Sequence, residues 1–202
     1  MAVQAVQVTQ VFLVCGPSGA GKTMLSYPLA RRAGAALVEV DDLVIAAQTL
    51  TTAGQQPELH YWDENPDAEG RLPVQQIVDM QIATARVLAP AVNAVIANHV
   101  QTATPVVIEG DYLLPELGAD WGDVVRAVVV HEPDLDQLIR NYAAREPEAG
   151  IQRKRAECSL AYGDWLAGQA VRHGVPVLRP RPWVSADQRV NAALRVVPQG
   201  CS

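Results

Sequence analysis

Short apolar runs alternate with longer amphipathic stretches along this chain. We predict strands at residues 8–15, 36–40, 105–109, 124–131 and 175–178, because each run is apolar and rich in β-branched residues. Strands that alternate with helices indicate a parallel sheet with helices on both of its faces. The predicted fold class is therefore α/β, in a single domain that spans residues 1–202.

The stretches between the strands have helical character. Helices are predicted at residues 24–34, 73–101 and 134–173, and a last helix starts near Ser185. The region 134–173 is basic and is interrupted near Pro147 and Gly150, since neither residue favours a helix interior. A polar segment rich in acids and turn formers covers residues 54–72.

The composition excludes several classes of protein. With a net charge of −6, wholesale binding of nucleic acid is not expected. No apolar run looks long enough to span a bilayer, and residues 1–4 lack the charge of a secretion signal, so we expect a cytoplasmic protein without a membrane partner. Cys15, Cys158 and Cys201 lack metal or disulfide spacing, and Cys15 is expected to be buried. The chain leaves open whether the protein is a monomer or a homodimer.

The first predicted strand and helix flank the most informative stretch of the chain. Residues 16–23 read Gly-Pro-Ser-Gly-Ala-Gly-Lys-Thr and fit the phosphate-binding motif G-x-x-x-x-G-K-[ST]. Glycines let backbone N–H groups turn towards a polyphosphate, and the N-terminus of the next helix favours the anion. The residues expected to contact the nucleotide are Gly16, Ser18, Gly19, Ala20, Gly21, Lys22 and Thr23. Lys22 is expected to neutralise the terminal phosphates, and the Thr23 hydroxyl to bind Mg²⁺.

Acidic residues follow two of the predicted strands, at the sheet edge where ligands collect. Asp41 and Asp42 follow the second strand, and Asp41 is the better candidate for a base that accepts the proton of an alcohol. Asp42 is then a substrate-binding candidate. The alternative is that both acids simply begin the next helix, where negative charge is favoured.

Glu109 and Asp111 end the third strand. An acid after a buried apolar strand is typical of the Walker-B arrangement, which holds Mg²⁺ or its water shell. We therefore assign Glu109 to the metal and Asp111 to the substrate, while the reverse assignment stays open. A strand terminus that is acidic by chance is the alternative.

A basic cluster occurs in this otherwise acidic chain. It consists of Arg140, Arg145, Arg153, Lys154 and Arg155. Guanidinium groups stabilise charge on a phosphoryl group in transfer, and Arg140 and Arg145 are the first candidates. Residues 137–156 are predicted to form a mobile lid that closes over the nucleotide. A solvated basic face is the alternative reading.

Two further segments carry candidate binding residues. Residues 54–73 are expected to bind the acceptor, with Tyr61 and Trp62 stacking on it or simply anchoring the segment. The loop after the fifth strand contains Arg181, which we assign to the nucleotide base. Trp183 is expected to pack on the core.

Together these residues resemble the P-loop small-molecule kinases of the nucleoside-monophosphate-kinase-like branch. Within it they are most similar to the chloramphenicol-phosphotransferase-like or 2-phosphoglycerate-kinase-like group. The matching positions are residues 16–23, 40–42 and 108–111. The resemblance implies the P-loop NTPase fold with strand order 2-3-1-4-5, a helical lid, and ATP and Mg²⁺ as cofactors.

The resemblance also implies an activity, namely ATP-dependent phosphoryl transfer to a hydroxyl group of a small molecule. No monophosphate-binding arginine is recognisable after the second strand, which favours a small metabolite or antibiotic over a nucleotide as acceptor. A nucleoside or nucleotide kinase remains an alternative, and so does a regulatory protein that binds ATP without turnover. The acceptor itself is not readable from the sequence.

Overall fold

Five parallel strands form one sheet in the part of the chain that the computed structural model describes, residues 11–194 without the side chain of Asp120. The strands are β1 (Val11–Cys15), β2 (Ala36–Glu39), β3 (Val106–Gly110), β4 (Val125–Val130) and β5 (Val177–Leu178). Their spatial order is β2-β3-β1-β4-β5, so the predicted order 2-3-1-4-5 is confirmed. Residues 8–10 of the first predicted strand, and Cys201, lie outside the described residues.

The sheet is accompanied by helices along the whole described chain. They are α1 (Thr23–Ala33), α2 (Val40–Leu50), α3 (Pro57–Glu64), α4 (Ala68–Arg71), α5 (Val74–Gln101), α6 (Leu135–Arg145), α7 (Arg153–Arg172) and α8 (Ala186–Leu194). Short 3-10 segments cover Pro115–Val124, Pro147–Ala149 and Trp183–Ser185. The predicted interruption of the basic helical region is confirmed, because α6 and α7 are separated by the segment Pro147–Ala149. The polar segment 54–72, for which no helix was predicted, contains α3 and α4.

Alternate residues of β1 enter two separate parts of the core. Leu13 and Cys15 belong to a cluster that includes residues of α5 and α7, whereas Phe12 and Val14 pack with residues of α1 and α8. All four side chains are fully buried. A central parallel strand that is covered on both faces must be apolar at every position, which is why this run was readable in the sequence.

Helix α5 corrects one expectation. By length and composition alone it could cross a membrane, although the sequence was expected to contain no such segment. Its residues Val78, Ala85, Leu88, Val92 and Ile96 are buried in the core beside β1 and β3. A helix whose apolar residues face a sheet is typical of a protein core.

The second strand is shorter than predicted. It ends at Glu39, and α2 begins at Val40, so Asp41 and Asp42 occupy the first turn of that helix. Both acids therefore follow the second strand as expected, and they also begin the next helix, where the helix dipole stabilises negative charge. Val40 is fully buried, and its Cβ would lie 2.5 Å from a Cβ on Gly110. This close packing keeps the start of α2 at the carboxyl edge of the sheet.

Two glycines of α7 provide a test of how tightly this helix packs. A Cβ on Gly163 would lie 2.6 Å from His131 Nδ1 and 3.1 Å from Pro17 Cγ, whereas a Cβ on Gly168 would meet no atom within 4 Å. Gly163→Ala should therefore destabilise the protein by about 1–3 kcal/mol through overpacking. Gly168→Ala should stabilise it by about 0.5–1 kcal/mol, because alanine favours a helix. Urea unfolding of both variants checks this, and equal stabilisation would contradict the tight contact.

Candidate functional site

The loop between β1 and α1 borders a cavity at the carboxyl edge of the sheet. We call it the P-loop cavity, and its volume is about 480 Å³. Its lining includes Ser18, Gly19, Gly21, Lys22, Thr23, Glu39, Asp41, Glu109, Asp111, Asn141, Arg145 and Trp183. Elements that are distant in sequence therefore meet around the motif, and most of the predicted site residues are among them.

Two glycines of the loop hold conformations that the motif requires. Gly16 has a φ of 151°, and a Cβ there would lie 2.4 Å from the carbonyl oxygen of Val130. Gly21 has a φ of 91°, which L-residues rarely adopt. The loop then runs directly into α1 at Thr23, so the helix N-terminus and its unpaired N–H groups face the P-loop cavity.

Lys22 is buried and forms an ion pair. Its side chain is 8% exposed, its Nζ donates to the carbonyl oxygen of Pro17 at 3.1 Å, and it contacts the Asp111 carboxylate. Burial lowers the pKa of Lys22, but the charge and hydrogen bond of Asp111 outweigh it and raise this pKa above its usual value. The lysine is therefore a cation, and in this structure a carboxylate neutralises it.

Thr23 and Glu109 form the candidate metal site. The Thr23 hydroxyl donates to Glu109 Oε1 at 3.0 Å. Glu109 Oε2 is buried and accepts no hydrogen bond from any described residue. Burial raises the pKa of Glu109, against the effects of Lys22 and Thr23. An unpartnered buried carboxylate oxygen is a suitable position for a cation.

A cluster of three metal-ligating side chains is absent from residues 11–194. A Mg²⁺ ion that binds together with a nucleotide keeps several waters and takes further oxygens from the phosphates. One hydroxyl and one carboxylate from the protein are sufficient for such a site. The residues present therefore fit Mg²⁺.

Asp41 borders the P-loop cavity, whereas Asp42 is not among the described residues that line it. Both are exposed in the first turn of α2, but Asp41 is the one in the cavity lining as the described residues define it. The cavity shields the Asp41 carboxyl group from part of the solvent although the residue is exposed, and this partial desolvation and the charge of Asp111 raise the pKa of Asp41, while Lys22 opposes them. A carboxylate with a raised pKa is a better proton acceptor than an ordinary one.

A second cavity, which we call the side cavity, adjoins the first. Its volume is about 380 Å³, and its lining comprises Ser18, Trp62, Glu69, Ile77, Gln81, Asp111, Tyr112, Tyr142, Arg155, Cys158 and Ser159. Among the described residues, Ser18 and Asp111 line both cavities. Trp62 contributes from the predicted acceptor segment, while Tyr61 packs edge-on against Trp62 at 5.2 Å between ring centroids and does not reach either lining in the described chain.

The predicted lid arginines differ in where they lie. Arg145 borders the P-loop cavity, and its Nη1 donates to Ser18 Oγ at 3.4 Å. Arg140 instead donates to Gln137 at 3.0 Å along its own helix, because the acidic N-cap of α6 attracts it. The structure therefore brings Arg145 to the motif and leaves Arg140 outside.

Glu146 links two of the basic residues. Its carboxylate pairs with Arg145 and with Arg155, each at 2.8 Å. The hydrogen bond from Arg145 is the largest of the effects that lower the pKa of Glu146. Arg155 also lies over the Tyr142 ring, with its Cζ 4.5 Å from the ring centroid. The segment that contains α6 and the start of α7 is thus held together by a carboxylate between two guanidinium groups.

Comparison with solved structures agrees with this arrangement of motif and sheet. A sugar kinase from a Janibacter species matches with a TM-score of 0.57 at 16% identity, over 94% of this chain and 96% of that one. A gluconokinase from Sinorhizobium meliloti gives 0.55 at 13%, over 93% of each chain. A shikimate kinase from Acinetobacter baumannii, in complex with shikimate, gives 0.50 at 13%, over 94% and 92%. The chain has the fold that these structures share, the P-loop NTPase fold.

Sequence comparison adds nothing to this assignment. No protein-family model matches the chain, and no curated protein is significantly similar to it. At identities this low the solved structures show the fold alone. The chemistry of this protein depends on the residues of its own site.

Arg181, assigned to the nucleotide base, takes part in a network that reaches the P-loop. It pairs with Glu132 at 2.9 Å and donates to Asn141 Oδ1 at 2.9 Å, and Asn141 donates to the carbonyl oxygen of Gly19 at 2.8 Å. Both acceptors hold the Arg181 guanidinium beside the P-loop rather than in the lining of its cavity. The network connects the loop after β5 with α6.

Several residues of the site were missed by the sequence reasoning. Trp183 was expected to pack on the core but is 39% exposed and borders the P-loop cavity beside Gly21. Glu39, Asn141 and Tyr112 also line one of the two cavities. Glu39 was recognisable as the last residue of an edge strand. The other residues carry no motif, and only the folded chain brings them to the site.

Proposed function

We propose that the protein is an ATP-dependent kinase that transfers the γ-phosphoryl group to a hydroxyl group of a small molecule. The observation that carries this proposal is the junction of the two cavities at Ser18 and Asp111. Transfer requires that a second molecule reach the terminal phosphate in a fixed orientation. A cavity beside the P-loop provides that access, whereas a protein that only binds nucleotide does not need it.

The P-loop cavity supplies the charges that ATP requires. Lys22 and Arg145 are the cations in its lining, and cations that face a phosphoryl group stabilise the charge that it carries in transfer. The N-terminus of α1 adds backbone N–H donors. Trp183 offers an aromatic side wall to the nucleotide.

The side cavity suits a small hydroxylated acceptor. Its volume of about 380 Å³ is in the range of ligand pockets. Trp62 and Ile77 provide an apolar wall, while hydroxyl groups and charged side chains such as Ser159 and Arg155 complete the lining. A ring or short chain with several hydroxyl groups, from a metabolite or an antibiotic, matches this mixed surface.

Asp41 is the proposed base. It accepts the proton of the acceptor hydroxyl while that oxygen bonds to the γ-phosphorus atom. The bond from the γ-phosphorus atom to the bridging oxygen breaks, and ADP leaves with its electron pair. The raised pKa of Asp41 supports this role, because a general base is more effective when its pKa lies closer to the pH at which the enzyme works.

Thr23 and Glu109 would hold Mg²⁺. An ion held there would offset the charge of the phosphates. Replacing Glu109 by Gln should raise the Mg²⁺ concentration needed for nucleotide binding roughly 10–100-fold, because the neutral amide keeps the shape and loses the charge. Calorimetric titration of ADP at several Mg²⁺ concentrations measures this. In EDTA the affinity for ADP should not fall, because the variant only removes a negative charge from the cavity, and a loss there would mean that Glu109 acts on the nucleotide directly.

Residues 137–156 are proposed to close over ATP as a lid. Arg145 donates to Ser18 and pairs with Glu146. The phosphates of ATP carry more negative charge than these partners and would attract Arg145 more strongly. Hydrogen exchange across this segment should slow when a non-hydrolysable ATP analogue binds, because closure excludes water. Exchange that is equally slow without nucleotide would instead indicate a rigid surface helix.

A substrate screen tests the proposal as a whole. The protein is incubated with ATP, Mg²⁺ and pools of hydroxylated metabolites and antibiotics, and ADP release and phosphorylated products are measured. We expect one pool to raise ADP release above the rate in buffer and to yield a product with one added phosphoryl group. Nucleotide binding without any acceptor-dependent turnover would favour a regulatory ATP-binding protein instead.

A further inference from the structure

The lysine that should bind phosphate already has an anionic partner. Lys22 contacts the Asp111 carboxylate, and the two side chains are 8% and 24% exposed. An ion pair that is largely shielded from water is costly to break unless the released charges find new partners. A nucleotide that recruits Lys22 must therefore displace Asp111 first.

Asp111 occupies the junction of the two cavities. It follows Gly110 at the end of β3, and its carbonyl oxygen accepts a hydrogen bond from the buried Tyr162 hydroxyl at 2.9 Å. Its backbone is thus fixed, while its side chain borders both the P-loop cavity and the side cavity. A carboxylate released from Lys22 can turn to the side cavity without any movement of the sheet.

The charges determine which way the carboxylate turns. A polyphosphate at Lys22 repels a neighbouring carboxylate, and so do the other acids of the P-loop cavity, Glu109 and Asp41. The hydroxyl group of an acceptor in the side cavity is a donor that satisfies the released oxygen atoms. Once a nucleotide takes Lys22, the Asp111 carboxylate is therefore expected to turn towards the side cavity.

We propose that Asp111 couples the two cavities: Lys22 holds it in the nucleotide-free protein, and nucleotide binding releases it to position the acceptor hydroxyl. The proposal rests on the proposed kinase function, because it requires a nucleotide in one cavity and an acceptor in the other. Asp41 takes the proton in this scheme, and Asp111 orients the hydroxyl group. ATP and acceptor then strengthen each other's binding, since coupling between two sites is reciprocal.

The coupling has a consequence that can be measured without knowing the acceptor. In the absence of acceptor, two costs weaken nucleotide binding. The Lys22–Asp111 ion pair must break, and the freed Asp111 carboxylate repels the phosphates. Asp111→Asn removes both costs and keeps the shape of the side chain. ADP should therefore bind the variant more tightly than it binds the wild type, by about tenfold if the coupling has a typical size.

Calorimetric titration of ADP in EDTA is the experiment, because it removes any contribution of Mg²⁺. Asp41→Asn serves as the matched control, since it removes another carboxylate of the same cavity without touching the Lys22 ion pair. We expect a clearly smaller gain for it. If Asp111→Asn should unfold, as judged by circular dichroism, Asp111→Ser replaces it and should also bind ADP more tightly.

The possible outcomes distinguish the kinase function from the coupling by Asp111. Wild-type protein that does not bind ADP would refute the proposed function itself. Wild-type binding with an unchanged or weaker affinity in Asp111→Asn would overturn the coupling and leave the kinase proposal intact. An equal gain in Asp111→Asn and Asp41→Asn would also overturn it, because general charge repulsion would then account for the effect.

Discussion

Replacing Lys22 by alanine should lower phosphoryl transfer by at least roughly 10²–10³-fold, which is the usual cost of removing one preorganised donor from a developing charge. The side chain is buried, lies in the lining of the P-loop cavity and carries a charge that Asp111 neutralises in this structure. No other lysine is near the motif, since the chain has just one more, at position 154. Steady-state turnover with an identified acceptor measures the effect.

Lys154 provides the matched control. Its Nζ donates to the carbonyl oxygen of Gly70 at 2.9 Å on the exposed surface, so Lys154→Ala should lose far less activity than Lys22→Ala. Both variants should unfold cooperatively in urea, because neither lysine contributes to the apolar core. Near-normal turnover in Lys22→Ala would show that the motif does not bind the phosphates in the proposed way.

Replacing Asp41 by asparagine should lower the rate of transfer roughly 10²–10⁴-fold, as expected for the loss of a general base. The amide keeps the shape of the side chain but cannot accept the proton. ADP binding should persist, which separates this variant from Lys22→Ala. Single-turnover measurements with ATP and acceptor report the chemical step directly.

Asp42 tests the specificity of that assignment. It lies on the same turn of α2 but outside the lining of the P-loop cavity that the described residues form, so Asp42→Asn should lose much less activity. A larger loss in Asp42→Asn than in Asp41→Asn would transfer the role of base to Asp42. A loss in Asp41→Asn that excess Mg²⁺ restores would make Asp41 a metal ligand.

The fold was largely predictable because its central strands are apolar on both faces. Buried parallel strands such as β1 and β3 appear in the sequence as continuous hydrophobic runs, and the P-loop motif fixes the connection after β1. The boundary between β2 and α2 was less readable. Asp41 and Asp42 are compatible both with a strand end and with a helix start, and only packing of Val40 against Gly110 decides between them.

The candidate site was predictable where a motif carries it. Lys22, Thr23 and Glu109 lie together as expected, since the motif and an acid after an apolar strand meet at one edge of the sheet. The Lys22–Asp111 pair and the position of Trp183 were not predictable, because each depends on side-chain contacts between distant segments. Arg140 illustrates the same limit, since its local partners on α6 decide its direction.

One arrangement of aromatic residues makes the two cavities separately visible to spectroscopy. The chain contains four tryptophans, of which Trp183 borders the P-loop cavity and Trp62 the side cavity. Of the remaining two, Trp121 donates a hydrogen bond to Asn93 and Trp165 stacks on Tyr162. Neither is among the described residues that line the two cavities. When these two are replaced by phenylalanine, the remaining tryptophan fluorescence comes from Trp183 at the P-loop cavity and Trp62 at the side cavity. Titration with either ligand could then be followed optically without a label, as a change in the emission of the tryptophan that borders the cavity it fills.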